Sequence, residues 1–484
     1  DLHRRRHSFP TRRSSDLSAF WMLFVGSYAI LKQLQIPFKV RILSASLLIF
    51  TPILLIQSTT TDTDIVLGSY LVCGLYFLIR FARTKEVYYI YFTSLVFAIA
   101  MSHKITFVFA FPSVAILIGY ACLIHRDQLN FKHLKHVLLS AILFLMVSMP
   151  TGYIANIVHY GHPIGPHTAT KHQSIERAGN FTNLILHGSK NVARYFFDLL
   201  NFDGLRNIQW VENGQEVINQ QFRNLDTIFN WGLETSKVFT IVPFNYTRKF
   251  EFYNGTPIYG SIFLLIIIPA IILLLLKKRP TFYYVFFLAF VLHFLALAYT
   301  AAYDPWKGRY MISSLVFLLP ISSLFFTQFV SKNKYSLVLG LYIIIIASAF
   351  STILFHSRSA FLSTHQLPTI WGKTRMELLT VSRPDITKAY ARFDQIVPQD
   401  ATVALATIND DYEYPLWGSR FTRKLIPINP FEQGLQPIPK EATYLFFGTN
   451  VIKPISTDIR LGTDTTIKEH IIVRGEDYYL RKLK

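Results

Sequence analysis

Two aspartates, Asp62 and Asp64, close the segment Gln57-Ser-Thr-Thr-Thr-Asp-Thr-Asp64. A carboxylate in such a place can take a proton from a hydroxyl as that hydroxyl attacks. It equally suits the start of a helix, where aspartate caps open backbone N–H groups for about 1 kcal/mol. Ser102-His103-Lys104 lies between two apolar runs with almost no loop. A lysine there either snorkels to water or meets an anion, and a point cation suits a phosphate oxygen. Asp304-Pro-Trp306-Lys307-Gly-Arg309-Tyr310 adds two cations just before another apolar run. An arginine at a helix start opposes the helix dipole unless an anion sits between it and the N–H groups. Anchoring of Trp306 and Arg309 at a membrane interface is the plainer account. Two turn-rich stretches complete the set: NIVHYGHPIGP carries Asn156, Tyr160 and His162, and EFYNGTP carries Glu251. Their glycines and prolines predict ordered turns.

The elements that position these residues are apolar. Of the 484 residues, 51% are hydrophobic and 16% charged, against roughly 25% charged in soluble domains. That excludes an ordinary soluble protein, a disordered chain and a disulfide scaffold. Ten candidate spans are read, at 17–34, 38–56, 65–82, 87–102, 105–124, 136–156, 257–276, 281–302, 310–330 and 335–355. In hydrocarbon each backbone polar group must be satisfied within its own segment, so these runs are helices. Cys73 and Cys122 fall inside apolar runs and read as buried thiols.

Alternate loops differ in charge. One set holds Lys32, Lys39, Arg41, Arg80, Arg83, Lys85, Arg126, Lys132, Lys135, Lys277, Lys278, Arg279, Lys332 and Lys334; the other holds Lys104, Lys307 and Arg309. Basic loops stay cytoplasmic, so Asp62, Asp64, Lys104 and Arg309 are expected on the outer side. The long loop 157–256 and the C-terminal region are expected there too. The net charge of +19 then reflects cytoplasmic loops and anionic lipid and implies no nucleic-acid partner. Residues 1–16, rich in arginine, read as a non-native basic tail, and the charge rule predicts a further span upstream. Within the outer loop, 181–202 has apolar residues at helical spacing and could lie on the membrane surface.

Beyond a linker at 356–383 the pattern changes. A helix is predicted at 384–396 and strands at 401–407, 423–428, 442–449 and 468–482, with a hairpin turn at Gly475. This is a small α/β domain, 384–484, expected outside the membrane. Asp410-Asp411 and the DYEYPLWG run read as a solvated turn. His133 and His136 lie in a basic loop, and no zinc spacing, P-loop or dinucleotide fingerprint occurs.

Taken together, QSTTTDTDIVLGSYL, SHKITFVFAFP, NIVHYGHPIGP, EFYNGTPIYG, PWKGRYM and DDYEYPLWG resemble the membrane-embedded GT-C glycosyltransferases. They look closest to bacterial relatives of the protein mannosyltransferases and aminoarabinose transferases (RgtA/B/C/D-like). The resemblance implies an all-α polytopic membrane domain, 17–355, in a bacterial inner membrane. It implies transfer of a sugar from a polyprenyl-phosphate donor to an extracytoplasmic lipid, glycan or protein acceptor, with inversion. In its terms Asp64, with Asp62 as fallback, is catalytic, and Lys104, Arg309 and Lys307 bind the donor phosphate. His103, Asn156, Tyr160, His162, Glu251 and Trp306 line the substrate loops. A further carboxylate of the family belongs to a loop that would precede residue 17, and its motif does not occur here. A divalent cation is a candidate cofactor, held by Asp62 and Asp64, but two carboxylates are too few to define a metal site. The rival reading is a polytopic transporter or lipid-carrier flippase.

Overall fold

The computed structural model describes residues 9–59, 63–124, 131–202, 205, 208–247, 258–354, 361–362, 369–381, 383–408, 411–430, 433–464 and 475–484. The chain divides into two compact units, Asp1–Phe355 and His356–Lys484.

The first unit is helical. Its helices are α1 (Phe9–Gln33), α2 (Phe38–Ser46), α3 (Pro52–Thr59), α4 (Asp64–Thr84), α5 (Tyr88–His103), α6 (Phe111–Ile124), α7 (Phe131–Ser148) and α8 (Tyr153–Tyr160). There follow α9 (His167–Gln173), α10 (Phe181–Leu199), α11 (Gln209–Phe229), α12 (Ile268–Leu276), α13 (Thr281–Thr300), α14 (Met311–Val330) and α15 (Tyr335–Leu354). Five helical segments are long and apolar enough to cross a membrane: Asp64–Thr84, Ile105–Ile124, Thr281–Thr300, Pro305–Val330 and Tyr335–Leu354; the bent pair α7 and α8 would make six.

The count is lower than the ten expected because most of the remaining runs are helical but short or interrupted, while α1, 25 residues long and unbroken, is not apolar enough to count. The run 38–56 divides into α2 and α3 at a turn before Pro52, whose ring cannot donate the next helical bond. Helix α5 has 16 residues. The run 257–276 opens with a π-turn at Phe263–Ile267 and then forms α12. A turn at Met149–Thr151 and Gly152, at φ 139°, set α7 and α8 at 57° to one another; that φ is open to glycine and costly for other residues. Helix α1 reaches back to Phe9, through half of the stretch expected as a tail.

Helix α14 occupies the centre, with 83% of its span buried, and packs on α2, α4, α12, α13 and α15. Spans α6 and α15 are peripheral, each 33% buried. Close approach is built in: at Gly74 a Cβ would fall 2.1 Å from the Phe97 ring, so only glycine lets α4 and α5 meet there. One isolated parallel bridge pairs Thr240 with Tyr303; Tyr303 N–H donates to Phe239 C=O at 2.9 Å and Ile241 N–H to Tyr303 C=O at 2.8 Å.

The second unit is a small sheet with helices α16 (Arg375–Leu379) and α17 (Thr387–Ile396). Its strands are β1 (Thr402–Ala406), β2 (Lys424–Pro427), β3 (Tyr444–Gly448), β4 (Ile459–Asp464) and β5 (Glu476–Lys482), in the order β2-β1-β3-β5-β4. Strand β1 is parallel to β2 and β3, while β5 is antiparallel to β3 and β4. Side chains alternate as a two-residue period requires. Phe446 joins Tyr390 and Phe393 on one face, and Leu445 and Phe447 join Ala404 and Ile428 on the other. Strand β4 lies outside the runs expected as strands. Its charged and glycine-containing sequence gives little strand signal, and its register shifts between Arg460 and Gly462.

Candidate active site

Asp64 is the first residue of α4; the residue before it, Thr63, makes no side-chain cap. The aspartate is therefore no N-cap. Its carboxylate sits within the first turn, where the helix dipole favours an anion. It is 3% exposed. Lys104 adopts an extended conformation between α5 and the 3-10 turn Ile105–Ala110, and its backbone N–H caps α5 through Ala100 C=O. That geometry carries its side chain to Asp64, with Nζ 2.6 Å from Oδ1. Arg309 lies in the last turn of a second 3-10 helix, Pro305–Tyr310, and places Nε 3.3 Å from the other oxygen of the same carboxylate. Tyr310 lies between the cations, its ring centroid 5.3 Å from Lys104 Nζ and 5.4 Å from Arg309 Cζ, within cation–π range.

One carboxylate thus faces two cations and a helix N-terminus. The arrangement carries net positive charge even with Asp64 ionised. It stays in touch with solvent through the cations, whose side chains are 18% and 31% exposed. A further anion would be attracted there.

The turn bearing Arg309 is fixed from below. Asp304 Oδ1 accepts from Trp306 N–H at 3.0 Å, and Asp304 N–H donates to Tyr195 Oη at 3.3 Å. Tyr303 Oη donates to Asp198 at 2.9 Å. Tyr195 and Asp198 both belong to α10. Neither of these two stood out in the sequence, because spacing alone does not tell which side of an amphipathic helix turns inward; Tyr310 figures there only as the end of the Asp304–Tyr310 segment.

The other expected site residues are not gathered at Asp64. Lys307 is buried and donates Nζ to Ala302 C=O at 2.5 Å, so it braces the turn from within. Trp306 is tied into the same turn. His103 stacks edge-on to Tyr70, with ring centroids 6.1 Å apart. Asn156 donates to Pro163 C=O at 3.0 Å and His162 Nδ1 accepts from Ile164 N–H at 3.3 Å; both shape the turn that follows α8. Tyr160 ends α8 beside His159. Asp62 and Glu251 lie outside the described residues.

A cavity of about 240 Å³ is lined by Leu75, Leu78, Ile79, Arg83, Tyr120 and Phe282 among others. It sits toward the other end of α4: Asp64 to Leu75 alone is about 16 Å of helix rise. It includes none of the candidate residues.

The second unit holds a buried polar cluster of its own. Arg383 lies 2.9 Å from Asp411 and 2.5 Å from Asp464, and Tyr478 Oη donates to Asp411 at 2.7 Å. The Asp411 side chain is 1% exposed, which overturns its reading as part of a solvated turn; Asp410 lies outside the described residues. Burial pushes the Asp411 carboxyl above its usual range despite Arg383. Burial, with the Asp411 charge adding to it, pushes Glu476 up to about 7. Among the described residues no group of three or more His, Cys, Asp or Glu is placed to hold a metal ion. Comparison of the chain with protein-family models, with curated proteins and with solved structures gave no match.

Proposed function

We propose that this protein is a membrane glycosyltransferase of the GT-C type, moving a sugar from a polyprenyl-phosphate donor to an extracytoplasmic acceptor hydroxyl with inversion. The observation that supports this best is the convergence of Lys104 and Arg309 on buried Asp64 at one end of two apolar helices. A donor phosphate entering there takes over the cations. Asp64, released from them, then faces the acceptor.

The acceptor O–H bond breaks as its proton passes to the carboxylate. The new C–O bond forms on the side of the sugar ring opposite the phosphate. The anomeric C–O bond to phosphate breaks with its electron pair, and polyprenyl phosphate leaves as the anion. Proton removal by a positioned base contributes about 10²–10⁴-fold. Each cation that strengthens its hold as charge develops on the leaving oxygen is worth a few kcal/mol. A donor whose prenyl chain stays in hydrocarbon explains a charged site at the end of membrane-length helices. Asp62 remains the fallback base.

The protein in lipid nanodiscs, given a panel of polyprenyl-phosphate sugars and envelope-type acceptors, should yield product of inverted anomeric configuration. Asp64→Asn should lower turnover by two orders of magnitude or more. Lys104→Ala and Arg309→Ala should mainly raise the donor KM. Absence of transfer across the panel by folded protein would refute the reading. The π-turn at Phe263–Ile267 and the α7–α8 bend favour the second reading, a lipid-carrier transporter, since such proteins use interrupted helices. That alternative predicts movement of labelled carrier between leaflets without transfer.

A further inference from the structure

Helix α10 turns a polar row inward beside the buried Tyr195, Phe197 and Leu199. His187, Asn191, Arg194 and Asp198 recur at helical spacing, and all four are buried. Their polar atoms are engaged within the protein. Arg194 donates to Asn191 Oδ1 at 2.8 Å and to the carbonyls of Leu233 and Ser236, both at 2.8 Å. Asn191 donates to Phe239 C=O at 3.2 Å, and His187 Nδ1 pairs with Ser236 Oγ at 3.2 Å. The outward arc is the apolar one: Ile185, Leu186 and Phe196 are 47%, 52% and 41% exposed, the polar positions among them are Thr182 and Ser189, and the half-buried Lys190 lies at its flank. A helix facing water has the opposite pattern.

Helix α11 continues this surface with three distinct faces. Val211, Gln215 and Asn219 turn inward. Glu216, Gln220 and Thr227 are exposed on a polar face. Between these two, Trp210, Val217 and Ile228, 73%, 61% and 73% exposed, form a mainly apolar face that also carries the exposed Gln221. A helix with one side to protein, one to water and one apolar side open suits the boundary between head groups and acyl chains.

The surface is continuous with a membrane-length helix. Gly188 of α10 lets Tyr299 of α13 approach so closely that a Cβ would lie 2.3 Å from its ring, and Asn191 also donates to Ala298 C=O at 3.4 Å. Helix α13 is one of the five candidate spans. We propose that the outward arcs of α10 and α11 rest in the head-group and acyl-chain boundary of the bilayer, so that these two helices lie on the membrane rather than standing off in water. The proposal is independent of the glycosyl-transfer reading.

Spin labels test it. In a Cys73→Ser/Cys122→Ser chain, labels at Ile185→Cys, Val217→Cys and Ile228→Cys are compared with one at Gln220→Cys. The protein is placed in vesicles of equal parts phosphatidylcholine and phosphatidylglycerol. Molecular oxygen, which concentrates in lipid, should reach the first three several-fold more often than a polar nickel chelate does, and the order should reverse at 220. Chelate access at 185, 217 and 228 equal to that at 220 would put the surface in water. Exclusion of both reagents would put it against protein, a second copy included. Either result overturns the proposal. Brominated-lipid quenching of the emission lost in Trp210→Phe reads the same contact without replacing the cysteines; unquenched emission refutes it.

Discussion

At the scale of the residue, Asp64 is the point on which two distant cations meet. Removing one member of a fully buried ion pair costs about 3–5 kcal/mol. Here the cation side chains keep 18% and 31% of their exposure, so about 1–2 kcal/mol is expected for Lys104→Met. Asp64→Asn in the same chain should return part of that loss, because the uncompensated carboxylate is gone. Melting midpoints of the two single variants and the double variant check this, and strictly additive losses would mean that the pair does not interact. In the second unit Glu476 is the titrating residue. Its carboxyl lies at about 7 in the folded chain against an ordinary 4.5. The folded state therefore holds the proton more tightly. Stability is greatest below 4.5, falls as pH rises through 7 and levels off above it. The loss amounts to roughly 3 kcal/mol, about 2.5 pH units at 1.36 kcal/mol per unit. Glu476→Gln should remove this slope and slow amide exchange in β5 at pH 8; an unchanged slope would assign the pH dependence elsewhere.

At the scale of the element, close contacts and bends do the positioning. Gly188→Val would drive a side chain into the Tyr299 ring, and overpacking of this kind costs about 1–3 kcal/mol. Because α10 also carries Tyr195 and Asp198, which hold the turn before Arg309, the variant should disturb the Asp64 site as well as lower the melting midpoint. Spin labels on α10 and α13 that keep their separation would argue against that coupling. These links are where sequence reading fell short. Asp64, Lys104 and Arg309 were legible because an ionisable group ending an apolar run demands an explanation. The polar stripe of α10 was not, since spacing of 187, 191, 194 and 198 predicts a face without saying which way it looks. Asp411 was misread for a related reason: its acidic, turn-forming surroundings suggest solvent, and only a residue far along the chain, Arg383, makes burial tolerable. Strands β1, β2 and β3 were legible as short apolar runs and β5 lies within the run expected at 468–482, whereas β4 is carried mostly by its neighbour β5.

At the scale of the whole molecule, the first unit has two chemically different ends. Asp64 begins α4 and Lys104 follows α5, while Arg83 and Lys85 mark the far end of that helix pair. Tyr153, at the start of α8, donates to Met101 C=O at 2.6 Å, which puts the His162 turn on the Asp64 side. Lys85→Cys and His162→Cys should accordingly react with an impermeant maleimide from opposite faces of a sealed vesicle. Labelling of both from one face would contradict the assigned topology. Ten apolar runs were legible in the sequence, but their division was not, because proline, glycine and a π-turn break several of them without changing their hydropathy. One contact joins these scales. The backbone at 239–241 is held along one edge to both the N–H and the C=O of Tyr303, one residue ahead of the segment that ends in Arg309. The peptide groups of this loop and of the segment bearing Arg309 are therefore joined directly, with no side chain between them. The amide protons of Ile241 and Tyr303 should be lost to solvent in step, as one latch opening.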